Sequence, residues 1–418
     1  MAGSFGIVGV LALAGCGSPQ AAPRAQALVG EGEQVAVALA DATSADDVVA
    51  ASWELGFLAL RAGQDDDAGG AVVSPSSLVS ALAMVTEGAV GDEGTPFDAA
   101  LGASGEDRAA AVSALLTTLA RYDGDPSAVG DDELPTTPVL HAAQRVVVDD
   151  DAVVRQSYLD RLVRGYGAGV AQADLGSSAL HEVLDPWVHE HSGGLVPRSA
   201  LQPDPRMRVA LQDAVVLAAA WQQPFLQPMT EDRPFVTAAG ERVDVPTMRG
   251  ELQVATVQRD GWTAVRLPYA DDLAADVLLP PSGSDVATSP AAAGAGVVAG
   301  LSAALDAAQP RSVLVDLPTV DLTSTTDLMP VLDGLGITGT ALSGVVDGDV
   351  TVGQAVQQAV LQVDEDGTRA AAVTEIAMLE SGPLVDLEVQ FDRPFLFVVR
   401  DATTGWPVFL ASVTDPSA

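Results

Sequence analysis

The sequence has one cysteine and few basic residues, and both shortages narrow the possible functions. A single cysteine cannot form an internal disulfide bond, but 418 residues are enough to bury a substantial core. The 20 lysine and arginine residues are outnumbered by 57 aspartate and glutamate residues, which gives a formal net charge of −37 at pH 7. The acidic residues are spread in short runs, as on a solvated surface that favours solubility. Such a surface repels phosphate backbones, so the sequence argues against nucleic-acid binding and against a heparin-like cofactor.

Long hydrophobic runs are also missing. After residue 45 no apolar run reaches about 18 residues without charges or breakers, which argues against a transmembrane helix. A shorter run, Phe5–Gly15, suits the core of a signal peptide. It ends in Leu13-Ala14-Gly15-Cys16, which resembles the bacterial lipobox, whose cysteine is diacylated and becomes the first residue of the mature chain. The region before it lacks lysine and arginine, and the alternative is an ordinary signal peptide with an incidental cysteine.

These features divide the chain into three predicted regions. Residues 1–15 are expected to be a lipoprotein signal peptide and residues 16–45 a flexible tether, because Gly17–Pro23 is rich in small residues and proline. Residues 46–418 are expected to form the folded body. The predicted location is secreted and extracellular, with lipidated Cys16 anchoring the protein to the outer face of the cell membrane. That lipid is the only membrane contact the sequence predicts.

Motifs that would supply an enzyme's chemistry are absent from the sequence. It contains no G-x-S-x-G elbow, no H-E-x-x-H, no P-loop and no C-x-x-C pair. His189 and His191 would face apart on a helix, so they do not predict a metal site. The glycine-rich stretch Gly165–Gly169 follows a helical pattern instead of a strand, so it does not predict a nucleotide loop. We therefore expect a protein that is not an enzyme and that has no metal or other cofactor.

Helical patterns come first in the body and strand patterns come later. Amphipathic or capped segments predict helices over Asp46–Leu60, Ser74–Val85, Arg108–Leu119, Val153–Val163 and Leu180–His191. From Val209 onward, segments rich in β-branched residues predict mostly strands, with one alanine-rich helix within Ala287–Ala308. Because helices and strands do not alternate regularly, the expected class is α+β with antiparallel or mixed sheets.

One segment near the C-terminus alternates as if it were built to enter a sheet. In a strand, successive side chains point to opposite faces. One face of the segment would carry only small or apolar side chains, namely Thr368, Ala370, Ala372, Thr374, Ile376 and Met378. The other would carry both charges, Arg369 and Glu375. Small leading residues let a strand slide between others, and Gly367 is expected to give the turn its backbone freedom. The alternative is an ordinary strand after a glycine turn.

Five segments taken in order resemble the serpin family of protease inhibitors, over about residues 46–416. They are residues 72–89, residues 211–225 followed by 245–248, residues 317–338, residues 365–372 and residues 391–413. The resemblance implies an α+β serpin-like fold with an N-terminal helical region and three mostly antiparallel or mixed β-sheets. It also implies an exposed reactive-centre loop at about residues 365–391.

The resemblance implies roles for particular residues. The hinge of the loop would comprise Glu365, Gly367, Thr368, Ala370, Ala371 and Ala372. Trp221 matches the tryptophan beneath the point where insertion starts, and Ser74 and Ser77 match hydroxyl groups of the region that must part, called the shutter. The chain departs from the family at Thr319, the position where the family usually has a lysine that pairs with the acidic residue matched here by Glu365. It departs again at the shutter, where Asp213 and Gln357 replace an asparagine and a histidine. A buried Asp213 would need full pairing.

The family's usual register, started at Glu365, places the scissile bond between Ser381 and Gly382. The loop is longer before Phe391 than the commonest spacing, so the bonds after Leu379 and Glu380 remain alternatives. No arginine or lysine lies between residues 370 and 392, which argues against trypsin-like targets. Elastase-like, subtilisin-like or glutamyl-specific proteases fit better.

The implied function is serine protease inhibition by a suicide-substrate mechanism. The target cleaves the loop, forms an acyl-enzyme and is trapped when the loop inserts into the main sheet. The expected partner is therefore a serine protease in a covalent acyl complex, and the free protein is expected to be a monomer. The alternative is a non-inhibitory serpin-fold binding or carrier protein, which would be expected to have bulky, charged or proline residues at inward hinge positions. An unrelated secreted hydrolase is a third possibility, but no nucleophile can be identified for it.

Overall fold

Apolar residues at helical spacing form the helices that cover the sheets. The computed structural model describes residues 25–64, 69–131, 133–348, 350–368 and 386–418 of the chain. The α-helices in these ranges are α1 Ala45–Ala62, α2 Pro75–Thr86, α3 Thr95–Leu101, α4 Gly105–Leu119, α5 Gln156–Tyr166, α6 Leu180–His191, α7 Ala295–Ala307 and α8 Met329–Gly334. On α1 the predicted apolar residues Trp53, Phe57 and Leu60 are all buried. Each helix predicted from the sequence is present, with ends shifted by a few residues.

The strands in the described ranges form three sheets. They are β1 Gln26–Leu28, β2 Gly70–Val73, β3 Val139–Asp149, β4 Val170–Ala173, β5 Val209–Ala220, β6 Glu231–Val236, β7 Arg242–Val254, β8 Thr256–Arg259, β9 Trp262–Pro268, β10 Leu273–Leu279, β11 Arg311–Pro318, β12 Val320–Asp327, β13 Gln354–Val363, β14 Gly367–Thr368, β15 Leu387–Gln390, β16 Phe395–Asp401 and β17 Pro407–Val413. Sheet A has the order β1-β4-β3-β5-β14-β13-β12, sheet B β2-β17-β16-β10-β9-β8, and sheet C β15-β11-β7-β6.

Helix α2 lies at the centre of the molecule, where it is buried along its whole length. Ser74 caps its first turn, because its hydroxyl oxygen accepts a hydrogen bond from the Ser77 amide at 3.4 Å. Pro75 occupies the first helical position, where its missing amide proton costs nothing. The Ser-Pro start therefore fixes the helix end beside sheet A, and two serine hydroxyls come to lie under that sheet.

Strands β5 and β13 of sheet A are parallel neighbours that pair over only part of their length. Their register runs from Gln354 opposite Ala210 to Ala359 opposite Val215. Beyond that point the short strand β14 lies between them, antiparallel to both. We call the line between β5 and β13 the seam. Evenly spaced but slanted hydrogen bonds make a parallel pair slightly weaker per residue than an antiparallel one.

Residues 26–42 were predicted to be part of a flexible tether, and this prediction is wrong for that stretch. Strand β1 pairs antiparallel with β4 at the edge of sheet A, and the Val35 amide donates to the Arg164 carbonyl at 2.9 Å. Ala42 is buried against the body. Small residues cannot form a core, but an exposed sheet edge accepts main-chain hydrogen bonds whatever the side chains are. The folded body therefore begins before residue 46.

Sheets B and C pack with the helices around a continuous apolar core. Its largest fully buried side chains include Trp406, Phe395, Phe397 and Phe409, all on or beside the C-terminal strands β16 and β17. The eight α-helices and three antiparallel or mixed sheets of the described ranges agree with the α+β class expected from the sequence. Within the described ranges, no helix is both long and apolar enough to cross a membrane.

Candidate functional site

We call the end of the seam where β14 lies between β5 and β13 its upper end. This end contains the first residues of the segment that the sequence predicts to be a hinge. The chain leaves β13 at Val363, turns through Asp364–Asp366 and returns as β14, so that Thr368 pairs with Val363. The Asp364 amide donates to the Gly367 carbonyl at 3.0 Å and closes the turn. On its other side β14 pairs with Ala219 and Ala220 of β5. Gly367 and Thr368 thus already occupy a strand position between β5 and β13.

The Thr368 side chain is buried, with 2% of its surface exposed. Its hydroxyl group is hydrogen-bonded to the Tyr269 hydroxyl. The Tyr269 ring in turn stacks on Trp221, with ring centroids 4.5 Å apart and planes 13° apart. Burial raises the pKa of Tyr269 well above its usual range, so the phenol stays neutral and able to donate. Thr368 therefore faces inward, on the side that the alternating pattern assigns to it.

Trp221 directly follows β5 and donates two hydrogen bonds to the hinge turn. Its indole Nε1 donates to the Asp364 carbonyl at 3.0 Å, and its amide donates to the Asp366 carbonyl at 2.9 Å. An antiparallel bridge joins it to Tyr269. Trp221 is 5% exposed, so these bonds form away from water, where an unmade bond would cost the most. The hinge turn and the end of β5 are thereby joined into one rigid corner.

Glu365 has a neutral partner in place of the lysine that its family resemblance implied. The Thr230 hydroxyl donates to Glu365 Oε1 at 2.5 Å, and the Phe225 amide donates to the Glu365 carbonyl at 2.8 Å. Thr319, which stands at the lysine position, bonds instead to the Pro246 carbonyl. The neighbouring Asp364 is largely buried, which raises its pKa to about 6. Among the described residues, the corner is therefore closed by hydrogen bonds and not by an ion pair.

Gly367 is needed for a reason that differs from the one expected. Its φ angle is not in the left-handed region, so the turn does not require glycine there. A Cβ at this position would instead lie 2.1 Å from the Ala219 carbonyl oxygen and 2.6 Å from Leu134. The missing side chain lets β14 approach the β5 backbone closely enough to pair. The prediction that Gly367 supplies backbone freedom is corrected to one of close approach.

Lower on the seam, the predicted shutter residues form one buried hydrogen-bond network. Gln357 of β13 accepts from the Ser74 amide at 2.7 Å and donates from Nε2 to Asp213 Oδ2 of β5 at 3.0 Å. The Ser77 hydroxyl donates to Asp213 Oδ1, and Gln144 of β3 donates to the Ser77 oxygen at 3.0 Å. The network therefore links α2 to three neighbouring strands of sheet A. Separating β5 from β13 must break the Asp213–Gln357 bond.

Asp213 has no cationic partner in this network. Its burial raises its pKa from 3.8 to about 6, while the bonds from Ser77, Gln357 and Gln144 act in the opposite direction. Desolvation therefore outweighs the hydrogen bonds that favour the charged form. Both carboxylate oxygens of Asp213 are hydrogen-bonded, as expected of a buried carboxylate, yet burial still disfavours its charged form.

Comparison with known proteins identifies the family. The profile of one family, Serpin (serine protease inhibitor), matches residues 51–416. The chain belongs to the serpin family. Members of this family are in general inhibitors rather than catalytic enzymes, and the predicted serpin fold is confirmed. Among relatives, Iripin-3 of Ixodes ricinus is 29% identical, over 90% of this chain and 96% of its own. Alpha-1-antitrypsin 1-1 of Mus musculus is 27% identical, over 82% and 83%.

Solved structures show the same serpin fold. Tengpin, a thermophilic serpin in its native state, superposes with a TM-score of 0.75 at 19% identity, covering 94% of this chain and all of that one. Thyroxine-binding globulin in complex with thyroxine gives a TM-score of 0.71 at 21% identity, covering 89% and 98%. The family therefore includes a hormone-binding protein, so membership alone does not establish inhibition.

Several predicted site residues of this serpin lie outside the described residues. They are Cys16, Ala370, Ala371, Ala372, Leu379, Glu380, Ser381 and Gly382. The described ones form two groups along the seam. The group at its upper end comprises Trp221, Glu365, Gly367 and Thr368. The group lower on the seam comprises Ser74, Ser77, Asp213 and Gln357. Within the described part of the chain, no three acidic, histidine or cysteine side chains lie close enough together to hold a metal ion.

Three site residues of this serpin were missed by the sequence analysis. Gln144 had a detectable signal, since it interrupts an apolar strand and lies directly opposite Asp213 in the register of β3 and β5. Tyr269 and Thr230 had none, because each reaches the hinge from a strand or turn distant in sequence. Their contacts depend on how sheets A, B and C meet.

Proposed function

We propose that this serpin inhibits serine proteases as a suicide substrate whose cleaved loop becomes a new strand of sheet A. The observation that carries the proposal is β14, which starts an antiparallel strand between β5 and β13 and points down the seam. A chain continuing from Thr368 in that direction would pair with both neighbours at once. The small residues that follow in the sequence, Ala370 and Ala372, would meet the least steric resistance.

The chemistry of this mechanism belongs to the target. Its serine hydroxyl attacks the scissile carbonyl, the peptide C–N bond breaks, and the new amine leaves with the C-terminal part of the loop. The carbonyl carbon stays bound to the serine as an ester at the end of the severed loop. Insertion of that loop would carry the attached protease away from its starting position before water can hydrolyse the ester. Trapping therefore depends on insertion being faster than deacylation.

The scissile bond of the proposal is Ser381–Gly382, with the bonds after Leu379 and Glu380 as alternatives. The proposed targets are elastase-like, subtilisin-like or glutamyl-specific proteases, because the loop carries no basic residue between positions 370 and 392. A trypsin-like enzyme needs such a residue for its specificity pocket.

The first test is to incubate the protein with a panel of serine proteases and look for complexes stable in SDS. Mass spectrometry of the released peptide would identify the bond. A complex of protease plus the N-terminal part of the chain supports the proposal. Complete cleavage by every protease without any complex would contradict it and favour the alternative, a binding or carrier protein, for which the fold similarity to thyroxine-binding globulin is the precedent.

A second test needs no knowledge of the target. One cut at the proposed bond after Ser381 should let about a dozen residues beyond Thr368 insert, each adding roughly 1 kcal/mol of net hydrogen bonding. With an unfolding entropy of about 2 cal/mol/K per residue, the thermal midpoint should rise by more than about 10 °C. The matched control is a cut engineered at the exposed turn beside Gly283, which should leave the midpoint unchanged or lower. No rise after the loop cut would reject insertion.

We further propose that the protein is exported and held at the outer face of the membrane by lipid on Cys16. Support comes only from the Leu13–Cys16 pattern and the apolar run before it. The stretch 17–25 would then act as the tether between lipid and body, since main-chain pairing begins at Gln26.

A further inference from the structure

Helix α6 and the segment that follows it cross the face of sheet A over the seam. We call residues 180–202 the strap. In its middle, Val188 and Val196 pack on Ala214 of β5, and the Gln212 side chain donates to the Leu184 carbonyl at 3.1 Å. A strand entering between β5 and β13 would have to pass beneath this crossing.

The far end of the strap is bound to β13 by two glutamine side chains. Gln358 accepts from the Ala200 amide at 2.9 Å and donates to the Arg198 carbonyl at 3.0 Å. Gln354 binds the main chain of Gln202 in the same double manner, at 2.9 and 2.8 Å. None of these four bonds to β13 involves a titratable group.

Between Val188 and Val196, where α6 ends, the strap is held to β3 by a pair of histidines. His141 Nε2 of β3 lies 2.9 Å from His191 Nδ1 in the last turn of α6. The ring planes are 6° apart and the centroids are 5.2 Å apart, so the rings meet edge to edge as an in-plane hydrogen bond requires. Trp187, one turn earlier, packs on the His191 ring and under the Arg145 guanidinium of β3, each at 4.5 Å. We call His141 and His191 the clasp.

The clasp is satisfied when both rings are neutral. Asp123 Oδ1 lies 3.0 Å from His141 Nδ1, and a carboxylate only accepts, so that nitrogen carries the proton. His141 Nε2 is then an acceptor, and His191 Nδ1–H donates to it. When both rings are protonated, the two facing nitrogens are both donors and the hydrogen bond between them is lost.

Burial opposes protonation of His191, and charges of both signs surround the clasp. Arg145 is directly adjacent, and its Nη2 is buried without a hydrogen-bond partner among the described residues. Desolvation and His141 lower the pKa of His191, Glu190 acts in the opposite direction, and Arg145 adds a smaller lowering. Facing residues of β5 next to the clasp, Gln212 and Val216, are uncharged. The remaining charged neighbours lie on the segment before β3 and are Asp123 and Asp125, of which Asp123 is mostly solvent-exposed.

We propose that His141 and His191 form an acid-released clasp that holds the strap over the seam, so that low pH lowers the barrier to loop insertion. A released His191 ring in water takes up a proton more readily than the packed one, so falling pH favours release by linkage. The part of this inference that concerns insertion rests on the proposed function. The part that concerns release of α6 does not.

Hydrogen–deuterium exchange of the full chain tests release directly. Peptides covering the last turn of α6 should lose protection between pH 7.5 and 5.5, after correction for intrinsic exchange. His191→Asn keeps an N–H at the Nδ1 position but cannot titrate, so it should retain protection at both values. His191→Ala should be unprotected at both. His189→Asn, a change of an exposed histidine in the same turn, is the matched control and should behave as wild type.

The inference is overturned if His191→Asn loses protection in acid as wild type does, since another group such as Asp213 would then be responsible. It is also overturned if wild type keeps its protection at pH 5.5. In parallel, spontaneous conversion to a non-inhibitory form should be faster at pH 5.5 in wild type and not in His191→Asn. Acid release of α6 in a protein that forms no protease complex at any pH would reject the proposed function and leave the clasp intact.

Discussion

Asp213→Asn tests whether the buried carboxylate of Asp213 is ionised in the native protein at a cost in folding stability. The amide is isosteric and can keep both bonds, with its oxygen accepting from Gln357 and its nitrogen donating to the Ser77 oxygen. It removes the charge and reverses the direction of the Ser77 hydrogen bond. We therefore expect the variant to fold and to be more stable than wild type at neutral pH.

The magnitude follows from the raised pKa of Asp213. The native carboxyl binds its proton with a pKa of about 6, against 3.8 for an unperturbed one. Because the native state holds the proton more tightly, stability falls as pH rises from about 4 to about 6, and it stays lowered above that. Two pKa units correspond to about 3 kcal/mol. At about 2 cal/mol/K of unfolding entropy per residue, this is roughly 4 °C in the thermal midpoint.

The assay is a set of melting curves by circular dichroism at pH 4, 5, 6 and 7.5 for wild type and variant. Asp364 also has a raised pKa of about 6, so the informative quantity is the difference between the two proteins at each pH. That difference should be smallest at pH 4 and grow by roughly 4 °C by pH 7.5. A difference that does not change with pH would refute the reasoning, because it would mean that Asp213 is not ionised at a cost in the native state.

Three further predictions concern the hinge and the N-terminus. Thr368→Arg should turn the protein into a plain substrate, because a buried unpaired cation costs at least several kcal/mol. Gel assays should show cleavage of this variant without a stable complex, whereas Thr368→Ser should retain the complex. Full inhibition by the arginine variant would show that the predicted strand register is wrong. Thr230→Val should lower the thermal midpoint by about 2–4 °C, because Glu365 loses a charged hydrogen bond of about 1.5–3 kcal/mol. Thr319→Val makes no such change to Glu365 and should melt as wild type. Equal midpoints for the two variants would show that Thr230 does not stabilise the corner. Cys16→Ala should abolish acylation and partition into detergent, and unchanged partitioning of the variant would reject the lipid anchor.

Local patterns in the sequence were sufficient for the elements and for the class of fold. Apolar spacing predicted α1, and the Ser74-Pro75 start predicted α2 with its cap, because propensity and capping act within a few residues. The alternation after Gly367 predicted which face of the hinge points inward. The family resemblance grouped Ser74, Ser77, Asp213 and Gln357 as candidates for one site.

Tertiary structure alone decided how those residues are partnered. The bond from Thr230 to Glu365, the stack of Tyr269 on Trp221 and the pairing of β1 at the edge of sheet A all join segments distant in sequence, and no local pattern marks them. His141 and His191, which the sequence separates as unrelated surface residues, meet because α6 folds back across β3. The sequence determines which chemical groups the side chains carry. The packing of sheets and helices determines which groups are buried and which partners they contact, and these in turn set each group's pKa and role.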